Sequence, residues 1–329
     1  MDGKFKSARF LSMANETKVI VEECYIKNFL SFCTIIEPLA VLKLDIKIFS
    51  CYFEDLQDGI KILVNPTSIA NIAIDRLKLE LDFLEPDNPA SNGIFVKSGG
   101  DISLKNIVME ATHADFEGIF LENSNEVFAK NIFIGGNAEL VEETSIGKGL
   151  NLKNVETAYI RNCKFQNLRI GMELVCDSDY SKSIKMLDIT TQKCSIGSLI
   201  HGASQNVCKI ALANYQSTVC YYGLMIDITN NQIFLSSLNF ENVPKPIIVK
   251  KNIVKSLNFI TSSKFSYPLI PEIDIENIED SEIEEAVRQP IYIQFCSKEK
   301  IPYRVAYEHD DFTILWRQTD HPMTTQNIN

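Results

Sequence analysis

Tryptophan is nearly absent from this chain of 329 residues: Trp316 is the one example. A sugar groove lined by several tryptophan platforms is therefore not expected. No run of 18 apolar residues occurs, so no membrane-spanning helix is expected. Basic residues are also in deficit, with 32 Lys and Arg against 43 Asp and Glu and a formal charge of −11. A chain without a basic stripe is not expected to bind nucleic acid.

Several motifs that carry known chemistries are missing as well. The sequence has no phosphate-binding Walker loop, dinucleotide fingerprint, Gly-x-Ser-x-Gly elbow or His-Glu-x-x-His, so no cofactor is expected. Its nine cysteines include no Cys-x-x-Cys pair, and no zinc or other metal site is expected. The N-terminus lacks an apolar signal core and a cleavage site. We therefore expect cytoplasmic synthesis without a signal peptide, with a virion as one destination.

A repeating glycine is the most informative pattern that is present. Each glycine opens a short run of alternating apolar residues, and successive runs are 22 to 34 residues apart. We expect Ser198 and Pro246 to take the place of the glycine in two later units. The expected column comprises Gly59, Gly93, Gly118, Gly149, Gly171, Ser198, Gly223 and Pro246. Strand-like alternation with such a period is typical of a solenoid.

A second column, of polar turn residues, runs in phase with the first at about 26 residues per rung. Asn and Asp tolerate the left-handed backbone conformation, so stacked side chains are expected to hydrogen-bond from rung to rung. Cys24, Cys51 and Cys163 directly follow this column and are expected to point into the core. The column comprises Glu23, Ser50, Arg76, Asn106, Asn131, Asn162, Asp188, Asn214, Ser237 and Thr261.

The unit of strand, Asn turn and strand resembles that of the right-handed parallel β-helix (pectate-lyase-like) superfamily over roughly residues 10 to 267. This resemblance implies an all-β fold with a parallel β-helix of about ten rungs. Enzymes of this superfamily usually act on long polysaccharides along the outer face of the glycine-led strands. Phage tail spikes and virion appendages are similar: they are β-helices, often trimeric, made without a signal peptide.

The pattern divides the chain into five parts. Residues 1–10 are an expected N-terminal lead-in or cap, and residues 11–267 form the β-helix. An acidic linker covers 268–289, a small antiparallel β-module covers 290–319 with strands over 291–296, 303–307 and 312–316, and a tail covers 320–329. The last three parts contain 13 acidic and 5 basic side chains. The module is expected to cap the C-terminal end of the helix.

Alternation predicts which residues face outward on the glycine-led strands, because Ile94, Ile119, Leu150 and Ile247 then point inward. The first outward column is Lys61, Phe95, Phe120, Asn151, Glu173, Ile200, Met225 and Ile248. The second is Leu63, Lys97, Glu122, Lys153, Val175, Gly202, Asp227 and Lys250. The first column reads as a broken apolar stripe that needs a cover or a partner.

Five residues of these columns are candidates for binding: Phe95, Lys97, Phe120, Lys153 and Met225. The two phenylalanines could stack on a glycan, and burial in an oligomer interface or under a loop is the alternative. Lys97, Glu122 and Lys153 alternate in charge on neighbouring rungs. They form either part of a site or a solvated ladder of ion pairs.

Four carboxylates are the candidates for catalysis: Asp115, Glu117, Glu122 and Glu173. Asp115 and Glu117 lie in the densest polar cluster, which also contains His113 and suits general acid–base catalysis. An ordinary surface loop is the alternative. Of the motifs that galacturonan hydrolases of this fold share, only His201-Gly202 is found in the rungs. Neither a pectic hydrolase nor a pectate lyase is therefore supported.

Three functions remain open. The first is a non-enzymatic or weakly enzymatic spike or appendage that binds a surface polysaccharide, a surface protein or a virion protein, with a homotrimer as the assembly that the resemblance to tail spikes implies. The second is a polysaccharide lyase or glycoside hydrolase of the tail-spike type, with active sites between subunits. The third is an intracellular scaffold that binds proteins through the solenoid side, with the acidic linker docking a basic partner.

Overall fold

The structure is a computed structural model, and within the residues it describes every regular element is a β-strand. These residues are 9–14, 18–29, 31–37, 44–65, 68, 70–82, 91–112, 116–136, 147–176, 182–202, 208–228, 232–243, 245–250, 257–259, 264–266, 292–294, 302–308 and 312–316. The strands wind into a parallel β-solenoid, which confirms the predicted fold class.

The glycine-led strands form the first sheet, in which consecutive rungs pair in parallel. Its solenoid strands are β1 (Arg9–Ala14), β4 (Ser31–Glu37), β6 (Asp58–Val64), β8 (Ser91–Lys97), β10 (Phe116–Glu122), β12 (Lys148–Lys153), β14 (Ile170–Val175), β16 (Ile196–Gly202), β18 (Tyr222–Ile228) and β20 (Lys245–Lys250). Three more strands, β23 (Tyr292–Gln294), β24 (Pro302–Glu308) and β25 (Phe312–Trp316), extend this sheet antiparallel beyond β20. They are the predicted C-terminal module.

The second sheet contains the longer strands that carry the polar turn column. They are β2 (Lys18–Glu22), β3 (Tyr25–Lys27), β5 (Leu44–Glu54), β7 (Ala70–Leu81), β9 (Asp101–Ala111), β11 (Glu126–Gly135), β13 (Thr157–Gln166), β15 (Ser183–Gln192), β17 (Lys209–Thr218), β19 (Gln232–Glu241), β21 (Leu257–Phe259) and β22 (Lys264–Ser266). The solenoid makes about 7 turns, slightly fewer than the ten rungs expected. The strands shorten at the ends, where β3, β21 and β22 have three residues each.

The glycine column exists because neighbouring rungs approach too closely there for a side chain. A Cβ atom placed on Gly149 would lie 2.3 Å from the carbonyl oxygen of Gly171, and one on Gly118 would lie 2.6 Å from that of Gly149. The next member is Gly197, not Ser198, because Gly171 abuts Gly197 and Gly197 abuts Gly223. The expected place of Ser198 was therefore wrong by one residue. Pro246 follows Gly223 as expected.

The polar turn column is confirmed at every described position. Its nine described members, from Glu23 to Ser237, have φ between 51° and 57°, and Thr261 lies outside the described residues. This left-handed conformation bends each long strand of the second sheet. Asn162 donates to Asn131 Oδ1, and Asn131 donates to Asn106 Oδ1, at 2.8 Å each. Asn106 Nδ2 in turn donates to Asp75 Oδ1 at 2.8 Å, so these side chains form a ladder of hydrogen bonds from rung to rung.

A second left-handed column lies where the long strands end and the next glycine-led strands begin. Val219 belongs to it with a φ of 56°, although a β-branched residue is strained in this conformation. Most of the other members are Asn or Asp: Asn28, Asp55, Asn167, Lys193 and Asn242. This column was not predicted from the sequence.

Val219→Asn is expected to stabilise the protein by about 1 kcal/mol, because Asn tolerates the left-handed region better than a β-branched residue. The Val219 side chain is 48% exposed, so little packing is lost. Urea unfolding measures the change. Val64→Asn is the contrasting variant: Val64 is 5% exposed in a strand, and its replacement should destabilise the protein. A loss of stability in Val219→Asn would contradict the strain argument.

The core is one continuous apolar column between the two sheets. Cys51 and Cys163 are buried in it as predicted, whereas Cys24 is only partly buried and packs against it. Ile94, Ile119, Leu150 and Ile247 are fully buried, which confirms the inward phase of the glycine-led strands. The predicted acidic linker over 268–289, the tail over 320–329 and most of the lead-in lie outside the described residues.

Candidate functional site

The outer face of the first sheet carries the candidate site, because its columns run in register along the solenoid. Phe95 pairs with Phe120, Phe120 with Asn151, and Asn151 with Glu173, as the first outward column predicts. Beyond Glu173 the column continues through Leu199, Met225 and Ile248.

The one-residue error at Gly197 displaces two residues of the predicted columns. Ile200 is fully buried and points inward, so Leu199 takes its place in the first outward column. In the second column His201, not Gly202, lies beside Val175. The imidazole of His201 therefore lies on the outer face, next to Glu173.

Five polar side chains meet on this face, from four consecutive strands, and we call them the outer polar cluster: Glu117, Lys148, Asn151, Glu173 and His201. Asn151 Nδ2 donates to Glu117 Oε1 at 2.7 Å. Lys148 Nζ lies 2.5 Å from Glu173 Oε2, and His201 Nε2 lies 3.1 Å from Glu173 Oε1. Both carboxylate oxygens of Glu173 are thus paired, one with Lys148 and the other with His201.

Register explains how the cluster assembles. Glu117 pairs with Lys148 on the next strand, one position before the glycine column. Asn151 and Glu173 are neighbours in the first outward column, and His201 follows one rung later in the second. Side chains on adjacent rungs are about 4.8 Å apart along the axis, so residues distant in sequence come within hydrogen-bonding reach.

The cluster is unusually buried for the outside of a solenoid. Glu173 is 5% exposed and Asn151 is 4% exposed. The Oδ1 atom of Asn151 is buried without a hydrogen-bond partner. A buried acceptor of this kind costs free energy unless a ligand or water hydrogen-bonds to it.

Glu173 is held as a carboxylate. Burial acts to raise its pKa, but hydrogen bonds from His201 and Lys148 outweigh burial and hold the pKa below the ordinary value of 4.5. The charge at this position is therefore fixed at neutral pH. It balances the charge of Lys148 on the neighbouring strand.

Glu117 has the opposite tendency. Burial raises its pKa above 4.5, and the hydrogen bond from Asn151 and the charge of Lys148 offset only part of that effect. The charge of Glu173 adds to the increase. Two carboxyl groups with pKa values pushed apart can divide the roles of acid and base between them.

Glu173→Gln is expected to lower the free energy of unfolding at pH 7 by about 1–2 kcal/mol, because Lys148 loses its counter-charge. Since the folded-state pKa of Glu173 is lowered, its contribution is present above pH 4.5 and is lost as the pH falls through the folded-state value. Urea unfolding at pH 7 and at pH 3 measures the deficit, which should shrink at the lower pH.

Glu117→Gln is the matched control for that prediction, on the same face and with the same chemical change. Because the folded-state pKa of Glu117 is raised, its ionised form costs stability above pH 4.5. Glu117→Gln should therefore not destabilise the protein at pH 7. Equal losses in the two variants would contradict the assigned charge states.

Glu122 lies outside the outer polar cluster, in the second outward column. Its carboxylate is 3.1 Å from Lys97 Nζ and 3.5 Å from Lys153 Nζ. The three residues form the ladder of ion pairs that the sequence suggested. The two lysine side chains are 44% and 38% exposed, so each pair contributes little to stability.

The phenylalanine pair differs from a flat sugar platform. The rings of Phe95 and Phe120 stack at a centroid distance of 4.9 Å with planes 20° apart. Lys61 Nζ lies over the ring of Phe95, 5.8 Å from its centroid. Met225 lies further along the same column and is half-buried.

Of the four predicted catalytic carboxylates, the structure brings Glu117 and Glu173 into one cluster and leaves Glu122 apart. Asp115 lies outside the described residues. Lys148 and Asn151 were not predicted as site residues. His201 was noted only as part of the His201-Gly202 match to the galacturonan hydrolase motifs. The signal for Lys148 was its position directly before Gly149, which matches the position of Glu117 before Gly118.

Within the described part of the chain, no helix is long and apolar enough to cross a membrane. Among the same residues, no group of three or more His, Cys, Asp or Glu side chains could hold a metal ion.

Comparison with known proteins gave no relative. No protein family, characterised protein or solved structure matches the chain. The parallel solenoid is established by its strand pairing alone, and a pectate-lyase-like or tail-spike relationship is a proposal.

Proposed function

We propose that this protein is a polysaccharide-binding solenoid, of the spike or appendage type, that holds an extended glycan along the outer face of its first sheet. The observation that carries the proposal is the outer polar cluster, with the unpartnered Oδ1 atom of Asn151 inside it. Sugar hydroxyl groups both donate and accept hydrogen bonds. They suit a cluster in which Lys148 and His201 donate while Asn151 and the carboxylates accept.

The repeat of the solenoid supports a polymer as ligand. Polar side chains from four consecutive rungs, from Glu117 on β10 to His201 on β16, lie close together on this face. A chain molecule lying parallel to the axis would meet one set of groups after another. The ladder of Lys97, Glu122 and Lys153 borders these side chains and supplies further charged groups to the same face.

The proposal also includes an assembly, either of three copies of this chain or with a virion protein. Leu199 and Met225 continue the first outward column as half-buried apolar residues beyond the cluster. We place the contact of a homotrimer, or of a virion partner, on this apolar part. Sedimentation of the full chain tests the trimer: a single monomeric species over a wide concentration range would contradict it.

A screen against capsular and cell-wall polysaccharides tests the proposal most directly. The native chain should bind one class, and Lys148→Met should weaken that binding by at least about tenfold. Lys78→Met is the matched control, because Lys78 also lies 2.5 Å from a glutamate, Glu80, but on the second sheet. No binding to any polysaccharide, or equal losses in both variants, would contradict the proposal.

The second candidate is a polysaccharide-degrading enzyme, and the opposite pKa shifts of Glu117 and Glu173 favour it. A neutral carboxyl that donates a proton beside an ionised carboxylate is the usual equipment of glycoside hydrolases. Release of reducing ends without an unsaturated product would show hydrolysis, and an unsaturated product that absorbs ultraviolet light would show a lyase. Glu117→Gln should abolish hydrolysis but weaken binding less than Lys148→Met does, because the glutamine oxygen can still accept the hydrogen bond from Asn151.

A further inference from the structure

Six of the eight cysteines among the described residues form pairs of thiols on neighbouring rungs. None of these eight is in a disulfide. The pairs are Cys24 with Cys51, Cys176 with Cys208 and Cys194 with Cys220, and the neighbouring thiol contributes to the pKa of Cys51, Cys208 and Cys194. Cys33 and Cys163 pair in register with Ile60 and Ile132 instead.

Cys194 and Cys220 occupy the same position in two consecutive turns. Lys193 N donates to Thr218 O at 2.9 Å, and Tyr221 N donates to Cys194 O at 3.3 Å. Neighbouring parallel rungs place equivalent Cα atoms about 4.8 Å apart, which lies inside the range of roughly 4.4–6.8 Å that disulfides require. Cys194 N also donates to Cys220 Sγ at 3.4 Å.

The surroundings favour the thiolate form at Cys220, because the Cys194 backbone N–H donates to its sulfur. The hydrogen bond from the Cys194 thiol lowers the pKa of Cys220, against the effect of burial, and raises that of Cys194. Thr191 Oγ1 lies 3.9 Å from Cys220 Sγ. The thiolate is the reactive form in disulfide exchange.

We propose that Cys194 and Cys220 form a redox modification site, which a small-molecule or protein disulfide converts into a covalent link between two rungs. The Cys220 thiolate attacks one sulfur of the oxidant, forms a mixed disulfide and releases the first thiolate. Cys194 then loses its proton and attacks the Cys220 sulfur, which releases the second thiol. The two cysteines lose two electrons, and the disulfide of the oxidant gains them.

The link would join residues 26 positions apart in sequence. It would restrict the unfolded chain and so stabilise the two rungs that it connects. Cys194 is 3% exposed and Cys220 is 1% exposed, so the oxidant reaches them only when the turn opens locally. We therefore expect slow oxidation that a dithiol reductant reverses.

Mass spectrometry of the folded full chain tests the site. The protein is incubated with oxidised glutathione, its remaining thiols are alkylated, and its peptides are analysed. A Cys194–Cys220 link should appear, with a loss of about 2 Da for each pair oxidised. Cys33 and Cys163 should stay reduced during the incubation and be found alkylated. Alkylation of both Cys194 and Cys220 after prolonged oxidation, or a link from either to a different cysteine, would overturn the proposal.

Thermal unfolding gives a second readout on the same samples. Oxidation should raise the midpoint of the native chain, and reductant should restore the original value. Cys220→Ser should lose the shift, while Cys163→Ser, a buried cysteine without a thiol neighbour in register, should keep it. If Cys220→Ser does not fold, Cys194→Ala takes its place. A shift that survives removal of either paired cysteine would contradict the assignment.

Discussion

Gly149→Ala is expected to lower the free energy of unfolding by about 3 kcal/mol, because the added methyl group has no space. Its Cβ would lie 2.3 Å from the carbonyl oxygen of Gly171 and 2.7 Å from Cδ1 of Phe165. The oxygen belongs to the backbone of the next rung and cannot rotate away. The two rungs would have to separate, which weakens the parallel hydrogen bonds between β12 and β14.

Urea unfolding of the purified variant measures this loss, with Gly135→Ala as the matched control. A Cβ on Gly135 would meet only the ring of Phe133, at 3.2 Å, and this side chain can shift. The control should lose less than about 1 kcal/mol. Similar losses at Gly149 and Gly135 would show that rung contact does not explain the glycine column.

Asn131→Ala should destabilise the protein by about 2–3 kcal/mol, for two separable reasons. Asn131 has a φ of 56°, where an alanine Cβ is strained. Its side chain also donates to Asn106 and accepts from Asn162, so its loss breaks the ladder on both sides. Thermal or urea unfolding gives the total.

Asn131→Gly separates the two contributions, because glycine adopts the left-handed conformation without strain. The glycine variant lacks the ladder hydrogen bonds, so it should recover part of the loss but not all of it. A glycine variant as unstable as the alanine variant would assign the whole effect to the ladder. Stability equal to that of the native protein would show that the ladder contributes nothing.

The turn column could be predicted from sequence because its backbone requirement is local. Asn106, Asn131 and Asn162 mark the left-handed position directly, and the period then locates members with weaker preferences, such as Arg76 and Ser237. The second left-handed column also consists mostly of Asn and Asp, but among the described residues it has no member between Asp55 and Asn167, so no regular period marks it in the sequence. Its members include Lys193 and Val219, for which the left-handed conformation is imposed by the stacked rungs.

The error at the Gly197 rung also has a physical cause. Ser198 is fully buried in an inward position where the neighbouring rungs have the apolar residues Met172 and Leu224, so the apolar alternation that sets the phase is interrupted there. This one-residue error in the predicted phase put Gly202 instead of His201 in the second outward column. The outer polar cluster depends on register across four strands, and no local pattern in the sequence reports it.

The proposed role of the outer polar cluster depends on opposite pKa shifts of two carboxyl groups, those of Glu117 and Glu173, on a single face. Carbon-13 NMR titration of the Glu117 and Glu173 carboxyl carbons in the folded protein measures this directly. The account predicts a pKa for Glu117 above 4.5 and a pKa for Glu173 below it. The reverse order, or two carboxyl groups that titrate together, would contradict it.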